Sequence, residues 1–290
     1  MEKNVLHYFV DTNSSQGFVS FWESNFGKLE KVVKLDGYPD LLVTQLVSQA
    51  CAQALGCEQE VELVHNCLDN SLQGIILPGQ KTGLLNLPAY GDESYSLRLA
   101  EDENLSKVRE RVQRAYGCFG QALKIHDDWE RIFISSMDFE AMDELAEETA
   151  EKLFGGQKTD RAGSCADRFF GAATVNGSYD YIPNIPKRYF LKGRPGTGKS
   201  TFLKMLARAA QDRGYRTEAY HCAFDPNSLD MIAVRELGLC VFDSTAPHEY
   251  FPDRDSDEII DIYKAAVQPG TDEKYEKEIA GYSAGYKAKV

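Results

Sequence analysis

The sequence predicts an α/β protein of two similar three-layer units, each with a mostly parallel sheet, together with a helical insert. Three observations carry that expectation: a glycine-rich loop between a strand pattern and a helix pattern, an internal repeat, and a long stretch of helical periodicity between the copies. The chain of 290 residues has room for two units of ordinary size. With 43% hydrophobic and 27% charged residues, it has the composition of a globular protein and not of a disordered or collagenous one.

The strand pattern is Arg188-Tyr189-Phe190-Leu191-Lys192, and the loop is Gly193-Arg194-Pro195-Gly196-Thr197-Gly198-Lys199-Ser200. The loop fits G-x-x-x-x-G-K-[ST], the P-loop pattern. Behind it, Phe202, Leu203, Leu206 and Ala210 share one helical face, and Gly214 supplies a stop. Glycines let the backbone curl so that successive N–H groups converge on phosphate oxygens, and the helix N-terminus adds partial positive charge. Gly193, Arg194, Pro195, Gly196, Thr197, Gly198, Lys199, Ser200 and Thr201 are therefore the expected nucleotide-binding residues. Downstream, the apolar run Leu237–Phe242 closes on Asp243, where an acid would complete a magnesium shell; a strand-ending Asp is also a common turn former. Lys199 and Asp243 are the expected catalytic residues, and Ser200 and Asp243 the expected metal ligands. An N-K-x-D motif for guanine is absent, so the expected ligands are ATP and Mg2+.

Between these segments, Thr217–Pro226 reads as a strand running into a turn, which places His221 and Asp225 at the sheet edge where α/β folds bind ligands. The same residues read equally as a buried imidazole and an Asx turn. His248 and Glu249, just past a strand end, are candidates of the same kind.

Residues 7–90 echo residues 168–250. Setting His65 against His221 places Asp69 on Asp225, and one residue later Asn70-Ser71-Leu72 falls on Asn227-Ser228-Leu229. In the first copy Asp40 stands for the second loop glycine, Leu42 for the third, Val43 for the lysine and Asn86 for Asp243. A carboxylate and two aliphatic side chains would repel or block a triphosphate. The expected organisation is a degenerate P-loop-like repeat over 1–90, a helical insert and linker over 91–160, and an active P-loop NTPase-like repeat over 161–290 with a truncated helical tail. In the insert, Leu105, Val108 and Val112 begin a stripe that Ala115, Phe119 and Leu123 extend, and a second helix runs from about Asp138 to Phe154. His126 and Glu130 read as an ordinary helix pair in preference to a metal site. A helix is expected from Asp257 to about Val267, broken by Pro269-Gly270.

The net charge of −13 argues against a protein that coats nucleic acid. No apolar run approaches the roughly 18–20 residues of a membrane span, and no signal segment opens the chain. Seven scattered cysteines without a C-x-x-C pair fit buried thiols, so a cytoplasmic location without a zinc site is expected.

The chain resembles a family of uncharacterised bacterial P-loop ATPases, found mainly in Firmicutes and built from two tandem P-loop halves. The residues that carry the resemblance are Leu191–Thr201, Tyr220-His221-Cys222 with Asp225-Pro226 and Ser228-Leu229-Asp230, and Phe242–His248. Members carry a P-loop in both halves and a longer C-terminal helical segment; this sequence departs from both features. The resemblance implies an ATPase without naming a substrate. Three functions are expected in turn: Mg-dependent ATP hydrolysis at a single site, an ATP-gated binding module with little turnover, and a small-molecule or nucleotide kinase. Glu218, Asp225 and Glu236 are candidates to orient the attacking water, and Arg194 or Arg235 to add positive charge. A protein partner or a homo-oligomer fits the second function.

Overall fold

The computed structural model describes residues 5–35, 38–86, 103–156, 158–246 and 249–290. In chain order the strands are β1 (Val5–Phe9), β2 (Asp11–Ser14), β3 (Gly17–Ser20), β4 (Lys31–Lys34), β5 (Val61–His65), β6 (Leu72–Leu77), β7 (Thr82–Leu85), β8 (Ser164–Phe169), β9 (Gly171–Thr174), β10 (Gly177–Asp180), β11 (Lys187–Lys192), β12 (Arg216–His221), β13 (Leu229–Val234), β14 (Leu239–Asp243) and β15 (Glu258–Asp261). The helices are α1 (Trp22–Phe26), α2 (Asp40–Gly56), α3 (Glu103–Ile134), α4 (Phe139–Phe154), α5 (Lys199–Asp212), α6 (Ile262–Ala266), α7 (Thr271–Lys274) and α8 (Glu276–Lys287). The protein is a mixed α/β structure. Its residues cluster into two compact units, one of Met1–Gly117 with Asp167–Asn184, the other of Cys118–Ala166 with Ile185–Val290. This division follows spatial contact, whereas the boundaries at 90 and 160 follow the sequence repeat.

In the first unit the strands run β8-β1-β5-β6-β7-β4, β8 entering it with its last residues, Asp167–Phe169. β1 is parallel to β5 and β4 to β7, while β6 is antiparallel to both neighbours. Val43, Val47 and Ala54 recur at helical spacing on α2 and bury against Val61, Leu63 and Ile75 of the sheet. A second cluster joins Phe9, Cys67, Phe169 and Ala172, next to the hairpins β2–β3 and β9–β10.

In the second unit the order is β15-β11-β14-β13-β12. β11 is parallel to β14 and to β15, and β13 is antiparallel to β12 and β14. The sheet is mixed because a short turn, Arg235–Leu237 with Gly238 at φ 63°, joins β13 to β14, and so tight a connection permits only antiparallel neighbours. Phe202, Leu203, Leu206, Ala207 and Ala210 form the buried stripe of α5, packed with Met142, Ala146, Ala150 and Phe154 of α4 and with Val241 and Ile232 of the sheet.

One expectation is corrected by the fold. The segment after Asp257 begins as a strand: Glu258–Asp261 pairs with Tyr189–Lys192, and the helix is confined to Ile262–Ala266. Adjacent β-branched Ile259 and Ile260 suit a ladder position beside β11 better than a helix. Asp261 then caps α6 by accepting from the Lys264 N–H at 3.1 Å. In the insert, the first helix runs from Glu103 to Ile134 and takes in both Val112–Leu123 and the His126–Glu130 pair. Residues 91–102 of that insert, and 87–90 at the end of the first repeat, lie outside the described residues. Among the described residues, no helix is long and apolar enough to cross a membrane.

Candidate functional site

The loop at Gly193–Gly198 leaves the end of β11 and enters α5 at Lys199. Gly196 and Gly198 hold φ values of 79° and 76°, a left-handed conformation that side chains with a Cβ resist. A Cβ on Gly193 would stand 2.5 Å from Thr197 Oγ1, and one on Gly196 2.4 Å from the carbonyl oxygen of Glu130 on α3. The glycines therefore serve the curl of the loop and its close approach to a neighbouring helix.

The carbonyl oxygen of Arg194 is the hub of the loop. It accepts from Thr197 N at 3.2 Å, from the buried Thr197 hydroxyl at 2.8 Å and from Lys199 Nζ at 2.9 Å. Asp243 ends β14, which lies directly beside β11 with Leu191 opposite Asp243. That register brings Lys199 Nζ within 3.6 Å of Asp243 Oδ2. The other carboxylate oxygen accepts from the N–H and hydroxyl of Thr245, at 2.9 and 2.6 Å, which fixes its orientation. Ser200 Oγ accepts from Leu229 N at 2.9 Å. Pro195 is half-buried, and Thr201, in the first turn of α5, is exposed.

Several neighbours of the loop lie outside the motif. The Arg194 guanidinium is seated by Asp272 Oδ2, at 2.9 Å from Nη2 and 3.2 Å from Nε, and lies 5.2 Å from the centre of the Tyr263 ring. Lys192 Nζ donates to Ser244 O at 2.6 Å and to Tyr250 O at 2.8 Å, tying the segment after Asp243 to the strand before the loop. A methyl carbon of Met142 would stand 3.2 Å from a Cβ on Gly198. Asp272, Tyr263 and Tyr250 offer only charge or aromaticity, which many other positions share, and Met142 reads as an ordinary core position of its helix.

Most of the remaining candidates are engaged elsewhere. Asp225 accepts from Asn227 N at 3.1 Å, the geometry of an Asx turn, and His221 Nδ1 lies 2.6 Å from Pro226 O. Glu218 accepts from Tyr220 Oη at 2.8 Å and pairs with Arg235 at 2.7 Å, while Glu236 pairs with Arg161 at 2.7 Å. His248 lies outside the described residues, and Glu249 is exposed. On α3, His126 Nδ1 is 3.5 Å from Glu130 Oε1, with Asp127 close enough to complete a three-ligand group.

At the corresponding place in the first copy, Asp40 opens α2 and accepts from Asn86 Nδ2 at 3.1 Å. Burial and then the charge of Asp69 push its carboxyl pKa up. The first unit also holds a histidine pair, His7 Nδ1 and His65 Nε2 at 2.9 Å, with Tyr181 Oη 3.2 Å from His65 Nδ1. Burial pushes His65 down to about 4. The chain matches no protein-family model, no curated protein and no solved structure.

Proposed function

We propose that the chain binds a nucleoside triphosphate, ATP with Mg2+, at Gly193–Thr201 and hydrolyses it at this single site. On this reading the two units are P-loop NTPase-like and arranged in tandem, as in the bacterial family that the sequence resembles, and the first is a degenerate copy, unlike the members of that family. The observation that carries the reading is the placement of Lys199. At the head of a helix of 14 residues, its ammonium is held by one neutral carbonyl and by a carboxylate at 3.6 Å. Phosphate oxygens offer that ammonium stronger, charge-assisted bonds than the Arg194 carbonyl does. The left-handed glycines and the first turn of α5 add backbone donors.

The residues present fit magnesium. Ser200 keeps a hydroxyl at the helix start, and Asp243 keeps one oxygen turned toward Lys199 while Thr245 orients the other. A bound Mg2+ ion would neutralise charge on the phosphates. Lys199 would hold the β- and γ-phosphates, and Asp243 would keep that lysine and the metal shell aligned.

The binding-module reading has one observation in its favour. Glu218, Asp225 and Glu236, the carboxylates considered for water orientation, are all committed to other bonds. Turnover well below that of an efficient hydrolase is its signature.

Thermal unfolding with Mg-ATP, Mg-GTP and Mg-ADP tests the proposal, with Lys199→Ala alongside. At about 100 times its dissociation constant a ligand adds roughly 2.7 kcal/mol. The expected result is an ATP-dependent rise in Tm that Lys199→Ala abolishes; no rise with any nucleotide rejects the site. Phosphate release by the wild type then separates hydrolysis from gating.

A further inference from the structure

Asp11 on β2 is fully buried, and Gln73 on β6 is 2% exposed. Gln73 Nε2 donates to Asp11 Oδ2 at 2.7 Å. The other oxygens of the same two side chains, Asp11 Oδ1 and Gln73 Oε1, are both buried without a hydrogen-bond partner. Orphaned buried polar atoms are costly and uncommon, and here two occur on groups already bonded to each other. With Asp11 ionised, both are acceptors and neither can satisfy the other. One proton on Oδ1, donated to Oε1, would satisfy both.

We propose that folded Asp11 is held as the neutral acid, with its O–H donating to Gln73 Oε1 so that acid and amide close a ring of two hydrogen bonds, and that loss of this proton to solvent loosens the first unit. Among the described residues no cation stands against Asp11. From the turn after β5 comes Cys67, which hydrogen-bonds the carboxyl; from β3 comes Ser20, in register with Asp11; and the adjacent strand β9, Gly171–Thr174, carries no titratable side chain. Tyr116 reaches the neighbouring Asn13 at 2.7 Å, and burial pushes its hydroxyl up to about 12, so it stays neutral. Burial, only partly offset by Gln73 and Cys67, pushes Asp11 up to about 6. Where Asp11 opens β2, Gly171 opens β9 in the second copy, and Asp230 stands where Gln73 does, so the Asp–Gln pair is not repeated there.

The sign follows from linkage. A carboxyl that holds its proton more tightly when folded makes stability fall as pH rises, here between about 4 and about 6. His65 in the same unit acts oppositely: kept neutral by burial, it costs stability as pH falls from 6.5 toward about 4. The wild-type profile alone therefore mixes two opposed slopes. The readout is the difference between wild type and Asp11→Asn, in which the amide keeps both bonds at every pH.

The full chain is melted from pH 4.5 to pH 7.5 for both proteins. The expected result is a gap in Tm that opens with rising pH, through about 6, to several degrees in favour of Asp11→Asn. A gap that does not change with pH overturns the proposal. So does a gap that opens against the variant, which would mean that the ionised carboxylate is the stabilising form, as in a cation site. If the variant does not fold, carbon NMR of wild type labelled at the aspartate carboxyls decides. One aspartate titrating near 6 is expected, and none above 5 overturns the proposal.

Discussion

Lys199 Nζ stands 3.6 Å from Asp243 Oδ2 while donating at 2.9 Å to the carbonyl oxygen of Arg194. One ammonium thus links the first variable position of the loop to the end of the neighbouring strand. Removing the carboxylate charge separates its two proposed roles. Asp243→Asn should leave ATP affinity in EDTA nearly unchanged and remove the gain that Mg2+ gives, a loss of about tenfold or more in apparent affinity. Titration of ATP with and without Mg2+ measures both numbers. Equal Mg2+ enhancement in wild type and variant would remove Asp243 from the metal shell.

The close approach of Gly196 to α3 gives a second prediction. A Cβ there would meet the Glu130 carbonyl at 2.4 Å, and φ is 79°. Backbone strain and overpacking each cost about 1–3 kcal/mol. Gly196→Ala should therefore lower Tm by several degrees even without nucleotide. Gly281 on α8 has open space around it and a helical backbone, so Gly281→Ala should be neutral or slightly stabilising. Scanning calorimetry of the two variants makes the comparison.

The seat of Arg194 is expected to matter more for ligand than for stability. The Arg194–Asp272 pair is 48% and 31% exposed, and such pairs contribute about 0–1 kcal/mol. Yet the Arg194 backbone carries the oxygen that holds Lys199 and Thr197. Asp272→Asn and Arg194→Ala should each weaken ATP binding several-fold with little change in Tm. The double variant should be no worse than either single one, because both remove the same restraint. Additive losses measured by isothermal titration would mean that the two residues act separately.

What the sequence made legible was local. The run Arg188–Lys192, the glycine loop and the stripe Phe202–Ala210 announce strand, loop and helix because period and turn chemistry reside in neighbouring residues. The pairing of Asp272 with Arg194 lies far along the chain and has no period to betray it. Strand β15 was hidden because Asp257 and Glu258 resemble a charged helix start, whereas its ladder partner β11 is known only from the fold. The antiparallel strand β13, buried at every position, carries no alternation to set it apart from a parallel core strand. Nor could the repeat show that Asp167–Asn184, which opens the second copy, belongs with the first unit.

Arg168 supplies the physical reason for that last assignment, and with it a final prediction. Its guanidinium bonds Glu62 Oε2 at 2.8 Å, its Nε donates to Asn25 Oδ1 at 2.9 Å, and it lies 3.9 Å from the centre of the Tyr8 ring, whose hydroxyl donates to the same Glu62 oxygen at 2.8 Å. Arg168 and Glu62 are only 6% and 12% exposed, so neither charge has much water to turn to if the other is lost. Breaking a buried pair from one side costs about 3–5 kcal/mol, whereas replacing both partners by apolar residues of similar volume costs far less. Arg168→Met and Glu62→Leu should each destabilise the first unit by that amount in urea unfolding of the full chain. The double variant should recover much of the loss, a coupling that surface pairs do not show. If the single losses stay below about 1 kcal/mol, the network is a solvated one, and the apolar contacts of Phe169 and Ala172 with Phe9 must hold the segment in place.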